Sequence, residues 1–290
     1  MYKLAILGCE NSHADSFLDF VLKDGLYPDV EIVGVYSEDP AANERMKTKY
    51  GVYCMAAPDE LVGKVDAIAV TARHGKHHYP YAKPYIASGI PMFIDKPITV
   101  DDAEAVEFMT ELKNHGCRVT GGSSLAHTAE IKSLAAAVAS GEHGKLYGGF
   151  LRAPVSLENP YGNFYFYCQH LTEMTTTVFG TNATTVLASE KCGVVNATVS
   201  YPDFDVNIQF VNGNYKYSAH LSTEKGVVGG DVTVDRAAFL EEFDSLVRLI
   251  RGEAQTRSYR ELLAPVFLSN AIKRSLDSGK TENITAVEEI

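Results

Sequence analysis

Apolar residues recur in two rhythms along this chain, and the rhythm changes once. Up to Gly121-Gly122, short strand-like runs, most of them rich in apolar residues, alternate with stretches of helical spacing. Leu4 to Leu7, Glu31 to Tyr36, Ala67 to Thr71, Met92 to Ile94 and Arg118 to Thr120 read as strands. Ser16 to Lys23, Ala41 to Tyr50, Tyr79 to Ser88 and Asp101 to Asn114 read as the helices among them, the third stopped by Gly89 as a carboxyl cap. Such alternation predicts right-handed βαβ crossovers and a doubly wound α/β unit with a parallel sheet.

Beyond Gly122 the chain has one helix, Thr128 to Ser140, and then strand-like runs in succession. These are Leu146 to Val155, Thr184 to Lys191, Val194 to Tyr201, Val206 to Val211, Tyr215 to Leu221 and Val227 to Val234. Several alternate apolar with polar, as in Val206-Asn207-Ile208-Gln209-Phe210. Asn212-Gly213-Asn214 carries a hairpin signal between two of them. Two helices, Arg236 to Arg251 and Tyr259 to Ser278, close the chain. The expected organisation is a doubly wound domain over 1–121 and an α+β domain over 122–290 with a mainly antiparallel, open sheet.

Composition narrows the function. A chain of 290 residues suits two domains, and 46% apolar with 22% charged residues supports ordinary packed cores. The net charge of −11 disfavours a nucleic-acid partner, which needs a basic face. Five cysteines lie far apart with no Cys-x-x-Cys pair, which argues against a disulfide framework or a structural zinc site. His74, His77 and His78 have no nearby carboxylate to complete a metal site, so no metal is expected. No run approaches the ~18 apolar residues of a membrane span and no signal peptide is read at the start. A soluble, cytoplasmic protein without membrane or nucleic-acid partners is expected.

Two stretches carry candidate chemistry. Ile94-Asp95-Lys96-Pro97 places a lysine where a strand runs out, at the carboxyl edge of the sheet, where open α/β folds bind ligands. Gly8-Cys9-Glu10-Asn11-Ser12-His13 stands where a dinucleotide fold has Gly-x-Gly-x-x-Gly, and keeps the first glycine alone. Glu10 brings negative charge toward a pyrophosphate, while Asn11 and Ser12 offer helix caps and hydrogen bonds. Ser37 and Glu38 end the second strand. An acid there accepts ribose hydroxyls and favours NAD over NADP, although NADP stays open.

The strand–helix order, the His78 to Gly89 segment leading into Asp95-Lys96-Pro97, and the helix-plus-sheet second half resemble the Gfo/Idh/MocA oxidoreductases over nearly the whole chain. The usual acid-Lys-Pro motif is matched with aspartate for the commoner glutamate. The resemblance implies a Rossmann domain, a nicotinamide cofactor, and a second domain whose open sheet forms a homodimer or homotetramer. It implies cofactor contacts from Gly8, Asn11, Ser12, His13, Ser37 and Glu38, and from Thr71, His78, Asp95, Lys96 and Pro97. Lys96 would touch the nicotinamide ribose and the reacting hydroxyl. A histidine on the first helix inside the second domain would be the acid/base; Phe166 to Met174 looks like that helix, with His170 matching the histidine and Glu173 a common acidic position. Phe166 stands where the family often has an aspartate.

The aromatic and amide-rich stretch Asn159 to Tyr167 suits a carbohydrate-like substrate, with Arg152, Tyr165 and Tyr167 as contacts. The expected activity is hydride transfer between NAD(P) and a sugar, cyclitol or small polyol, catalysed by Lys96, His170 and Glu173. Two alternatives remain at this level: an NAD-assisted lyase or glycoside hydrolase without net redox change, and a non-catalytic ligand-binding relative.

Overall fold

The structure, a computed structural model, describes residues 1–285, which fall into two compact units. The first is built from Met1–Thr99, Ala103–Gly122 and Phe239–Ser258, the second from Val100–Asp102, Ser123–Ala238 and the chain from Tyr259 on.

The first unit runs β1 (Tyr2–Leu7), α1 (Ser12–Leu18), β2 (Val30–Tyr36), α2 (Pro40–Tyr50), β3 (Ala67–Val70), α3 (His78–Ile86), β4 (Met92–Asp95), α4 (Asp102–Asn114) and β5 (Val119–Gly122). All strand pairs are parallel, in the order β2-β1-β3-β4-β5. The order reverses between β1 and β3, so their carboxyl ends flank the crevice where such sheets take ligands. β3, β4 and β5 are buried at every residue, as a sheet covered on both faces requires.

The helix expected from Ser16 begins at Ser12 and continues into a π-helical turn, Asp19–Lys23. Its buried stripe is His13, Ala14, Phe17 and Leu18, and a histidine in first place hid the start of that stripe from the apolar pattern.

The second unit runs α5 (Ala129–Ser140), β6 (Leu146–Val155), α6 (Phe164–Phe179), β7 (Thr185–Lys191), β8 (Val194–Ser200), β9 (Asp205–Asn212), β10 (Tyr217–Thr223) and β11 (Gly226–Val232). The chain then passes through α7 (Arg236–Ile250), most of which belongs to the first unit, and α8 (Tyr259–Ser278) and β12 (Glu282–Asn283) complete the second. The sheet order is β11-β10-β6-β9-β8-β7-β12, antiparallel except for the β6–β9 pair. The hairpin expected at Asn212-Gly213-Asn214 does not form, because β6 lies between β9 and β10 and satisfies one edge of each. The Gly213 N–H instead donates to the Val155 carbonyl at 3.1 Å.

One face of the sheet supplies Leu151, Ala188, Ala197, Ile208 and Ala219 to the core shared with α6 and α8. On the other face, Leu187, Thr198, Asn207, Phe150 and His220 stand in register across five strands. Leu187 and Phe150 in that row are exposed.

The expected second domain, 122–290, gives up Phe239–Ser258 to the first unit. The apolar stripe of α7 dictates this: Phe243, Leu246, Val247 and Ile250 lie in the first core, with Phe243 against Phe17, Phe20 and Tyr27. Tyr27 also donates to Asp244, and Arg251 pairs bidentately with Asp29 at 2.8 and 2.7 Å.

Candidate functional site

β4 ends in a buried polar knot. Asp95 has no exposed surface; it accepts from its own neighbour's N–H, Lys96, at 2.7 Å and from the Asn11 side-chain amide at 2.7 Å. The His13 Nδ1 lies 3.1 Å from the same carboxylate, and His13 Nε2 lies 3.1 Å from Glu242 of α7. The approach is that of an ion pair rather than of aligned hydrogen bonds. Burial opposes a charge on His13, but the Asp95 and Glu242 carboxylates together outweigh it and raise the imidazole to about 10. Burial likewise opposes ionisation of Asp95, and His13 overcomes it, holding the carboxyl below its usual range.

Asp95 therefore ties the loop after β1 to the strand that presents Lys96 and Pro97. Its short side chain keeps the carboxylate close to its own backbone. Asn11 occupies the cap position of α1, yet its amide goes to Asp95 and makes no cap. Ser12 is exposed and donates to Asn11 Oδ1 at 3.3 Å.

The loop after β1 fits a dinucleotide turn at its first residue. Gly8 has φ +94, and a Cβ there would fall 2.1 Å from the Ala72 nitrogen, so only glycine serves. Thr71, after β3, donates its hydroxyl to the Gly8 carbonyl at 3.0 Å. Glu10, at the second glycine position, reaches across the crevice. Its carboxylate accepts from Ser37 Oγ at 2.7 Å, after β2, and from the Arg73 N–H at 2.9 Å, after β3. Glu38 is exposed beside His77. His78 is fully buried, its Nε2 is 2.7 Å from the Ala72 carbonyl, and burial holds it below the usual histidine range. His13 and His78, both expected to face a cofactor, are thus inside the unit.

The second unit carries the acid/base candidate. His170 sits on α6, the second α-helix of this unit and not the first, because α5 precedes it. Its Nδ1 is 2.7 Å from Ser123 Oγ. Ser123, directly after β5, is fixed twice more: its N–H donates to Glu173 Oε2 at 2.9 Å and its Oγ accepts from the Leu125 N–H at 3.2 Å. Glu173, with no exposed surface, also accepts from Gln169 Nε2 at 3.4 Å. Glu173 thus holds the serine that meets the imidazole. Where an aspartate one turn earlier would orient the ring, Phe166 packs against Tyr161 and Tyr167.

Aromatic rings surround His170. Tyr167 lies at 5.5 Å between centroids and Tyr217 at 6.3 Å, and Tyr167 is braced by Tyr215 at 5.5 Å. Arg152 donates to the Lys216 carbonyl at 3.0 Å. Tyr165 turns toward the core beside Phe164, and burial pushes its phenol up to about 12. The amides of Asn159 and Asn163 are spent within their own loop.

Sequence reasoning missed Ser123, Glu242, Tyr215 and Tyr217. Ser123 was readable as the residue following a strand at the ligand-binding edge. Glu242 was readable as an acid inside the apolar stripe of α7, which signals a buried partner.

Comparison with known proteins agrees with the fold. Residues 2–123 match the family model described as an oxidoreductase family with an NAD-binding Rossmann fold. A curated protein of Amycolatopsis mediterranei, provisionally named as the oxidoreductase subunit of a UDP-kanosamine synthase, is 25% identical over 108 residues, 37% of this chain and 30% of that protein. The matched stretch therefore spans less than a third of that curated relative.

Among solved structures, a scyllo-inositol dehydrogenase from Lactobacillus casei with bound NAD(H) and scyllo-inositol superposes with a TM-score of 0.84 at 13% identity, covering 99% of this chain and 100% of that one. A myo-inositol dehydrogenase from Corynebacterium glutamicum gives 0.82 at 18% identity, covering 99% and 100%. At such identities the likeness establishes the fold. The parallel sheet with its Gly8 turn is the part of the chain that this oxidoreductase family model matches, and the solved structures share its fold.

Proposed function

We propose that the chain moves a hydride between a nicotinamide cofactor and the CH–OH or C=O carbon of a sugar, cyclitol or related polyol. The buried Ser123–His170 contact carries this reading, because it fixes the orientation of an imidazole whose ordinary pKa suits proton exchange. In the tautomer that donates Nδ1–H to Ser123 Oγ, Nε2 is the basic atom and takes the hydroxyl proton as a carbonyl forms; in reduction it returns that proton. When bound, the nicotinamide supplies the two-electron acceptor or donor. Gly8, Ser37, Glu38, Thr71, Lys96 and Pro97 are assigned to holding it, with NAD preferred over NADP because Glu38 closely follows the second strand. Lys96 is given the electrostatic role of favouring the alkoxide as the proton leaves.

Tyr167, Tyr215 and Tyr217 offer ring faces that suit the C–H faces of a cyclitol or pyranose. The exposed row on the sheet of the second unit is assigned to a homodimer or homotetramer contact. None of the five cysteines is in a disulfide, which suits a cytoplasmic setting.

Direct titration of NADH and NADPH into the purified protein tests the reading. The parent is expected to bind NADH with a Kd of order micromolar, and Lys96→Ala to bind it about tenfold more weakly, the loss of one charge-assisted contact. No binding of either nucleotide by folded, nucleotide-free protein overturns it.

Ser123→Ala is expected to lower kcat about tenfold, the worth of one ordinary hydrogen bond, with KM little changed. Ser123→Thr keeps the hydroxyl and is expected to restore most of the rate. Steady-state kinetics on a screened polyol check both.

A further inference from the structure

We infer that Glu10 is a resident anion in the phosphate position of the nucleotide loop, so that the dinucleotide's diphosphate must displace a carboxylate in order to bind. The inference rests on the nucleotide-binding reading above, and it concerns the loop rather than the reaction.

Three observations converge. Glu10 stands at the second position of the fingerprint, where a glycine ordinarily lets the backbone approach a pyrophosphate. Its carboxylate bridges the ends of β2 and β3 from the loop after β1, and so spans the crevice at which the strand order reverses. The groups it takes are a hydroxyl and a backbone N–H, the donor types that hold phosphate oxygens at such loops.

The surrounding charge adds to the effect. Glu38 and Asp39 follow Ser37 directly, and Asp39 is spent on capping α2. Ser37 itself is 4% exposed, with its hydroxyl proton directed to Glu10 and its oxygen accepting from the Asp39 N–H at 3.1 Å. An incoming diphosphate meets these donors already committed to a carboxylate, and a like charge stands in the place it must enter. The loop therefore favours the uncharged part of the ligand over its diphosphate. Loss of the Glu10 charge would convert an occupied anion position into a vacant one.

The test compares three probes, NADH, ADP-ribose and the phosphate-free adenosine, against the parent, Glu10→Gln and Glu10→Gly by calorimetric titration at low and moderate salt. Glu10→Gln keeps the shape and removes the charge, so it stays informative if Glu10→Gly loosens the loop. NADH and ADP-ribose are expected to bind about tenfold more tightly to Glu10→Gln than to the parent, a like-charge repulsion removed, while adenosine is unchanged. Added salt is expected to narrow the gap between the parent and Glu10→Gln.

Equal or weaker binding of ADP-ribose by Glu10→Gln, in a parent that binds NADH, overturns this inference and leaves the proposed function standing. An equal gain for adenosine also overturns it, because charge would then not be the cause. Failure of all three proteins to bind any probe overturns both.

Discussion

Replacing His170 by alanine is expected to lower kcat by about 10²–10⁴-fold, the usual contribution of a positioned general acid/base. The imidazole is 8% exposed and meets Ser123 at 2.7 Å. The rings of Tyr167 and Tyr217 lie against it. Removing it leaves Ser123 and Glu173 in place, since Glu173 holds the serine through its backbone N–H. Binding of NADH, which the first unit supplies, is expected to stay within about twofold of the parent, well under one ordinary hydrogen bond. The loss should therefore fall on kcat and not on the nucleotide Kd. Single-turnover reduction of NAD with a screened polyol, run beside the NADH titration, separates the two. A kcat within about threefold of the parent would remove His170 from the chemistry.

His13→Ala is expected to destabilise the fold by about 3–5 kcal/mol, the cost of leaving buried carboxylates without their cation. Asp95 and Glu242 are 0% and 1% exposed, and His13 is the cation placed 3.1 Å from each. Asn11 and the Lys96 N–H still reach Asp95, which limits the loss on that side.

The same knot sets a pH dependence. His13 is raised from an ordinary 6.5 to about 10, so the folded state holds a proton that the unfolded chain releases. Its stabilisation is complete below about 6.5 and is lost as pH rises toward 10, at up to about 1.4 kcal/mol per pH unit. Asp95 is shifted the other way, and its share is present above its ordinary 3.8 and lost on acidification through its depressed folded value. Urea unfolding followed by circular dichroism from pH 6 to 10 checks this. The parent should weaken across that range, and His13→Gln should be weaker at pH 6 and flatter. A parent slope no steeper than that of His13→Gln would show that the imidazole is not charged in the fold.

The legible part of the site was the part written in consecutive residues. Asp95-Lys96-Pro97 could be placed at a strand end because the strand, the turn and the proline are all local. His170 and Glu173 share a face of one helix, and the spacing alone says so. What those residues touch was not legible. Ser123 lies 47 positions before His170, and Asn11 lies 84 before Asp95. Nothing in the stretch around His13 announces that Glu242, from the far end of the chain, will neutralise it. Glu10 could be seen as an anomaly in the loop, but not as a bridge between two strand ends.

Most elements and their alternation were therefore legible along the chain, including the change from βαβ units to successive strands at Gly121-Gly122, while the helix carrying His170 was reached through the family resemblance. Apolar period, caps and turn residues act over a few positions, and burial of a stripe or a strand rewards them wherever the chain goes. Only the tertiary structure decided that β6 would separate β9 from β10, and that Phe239–Ser258 would join the first unit. It also decided that Asp95 would face inward to a buried histidine while a serine, not an aspartate, meets His170. These outcomes depend on which distant polar groups are brought close enough to offset each other's burial. A buried charge or hydroxyl is tolerated only with its partner in place, and that partner is chosen by the fold.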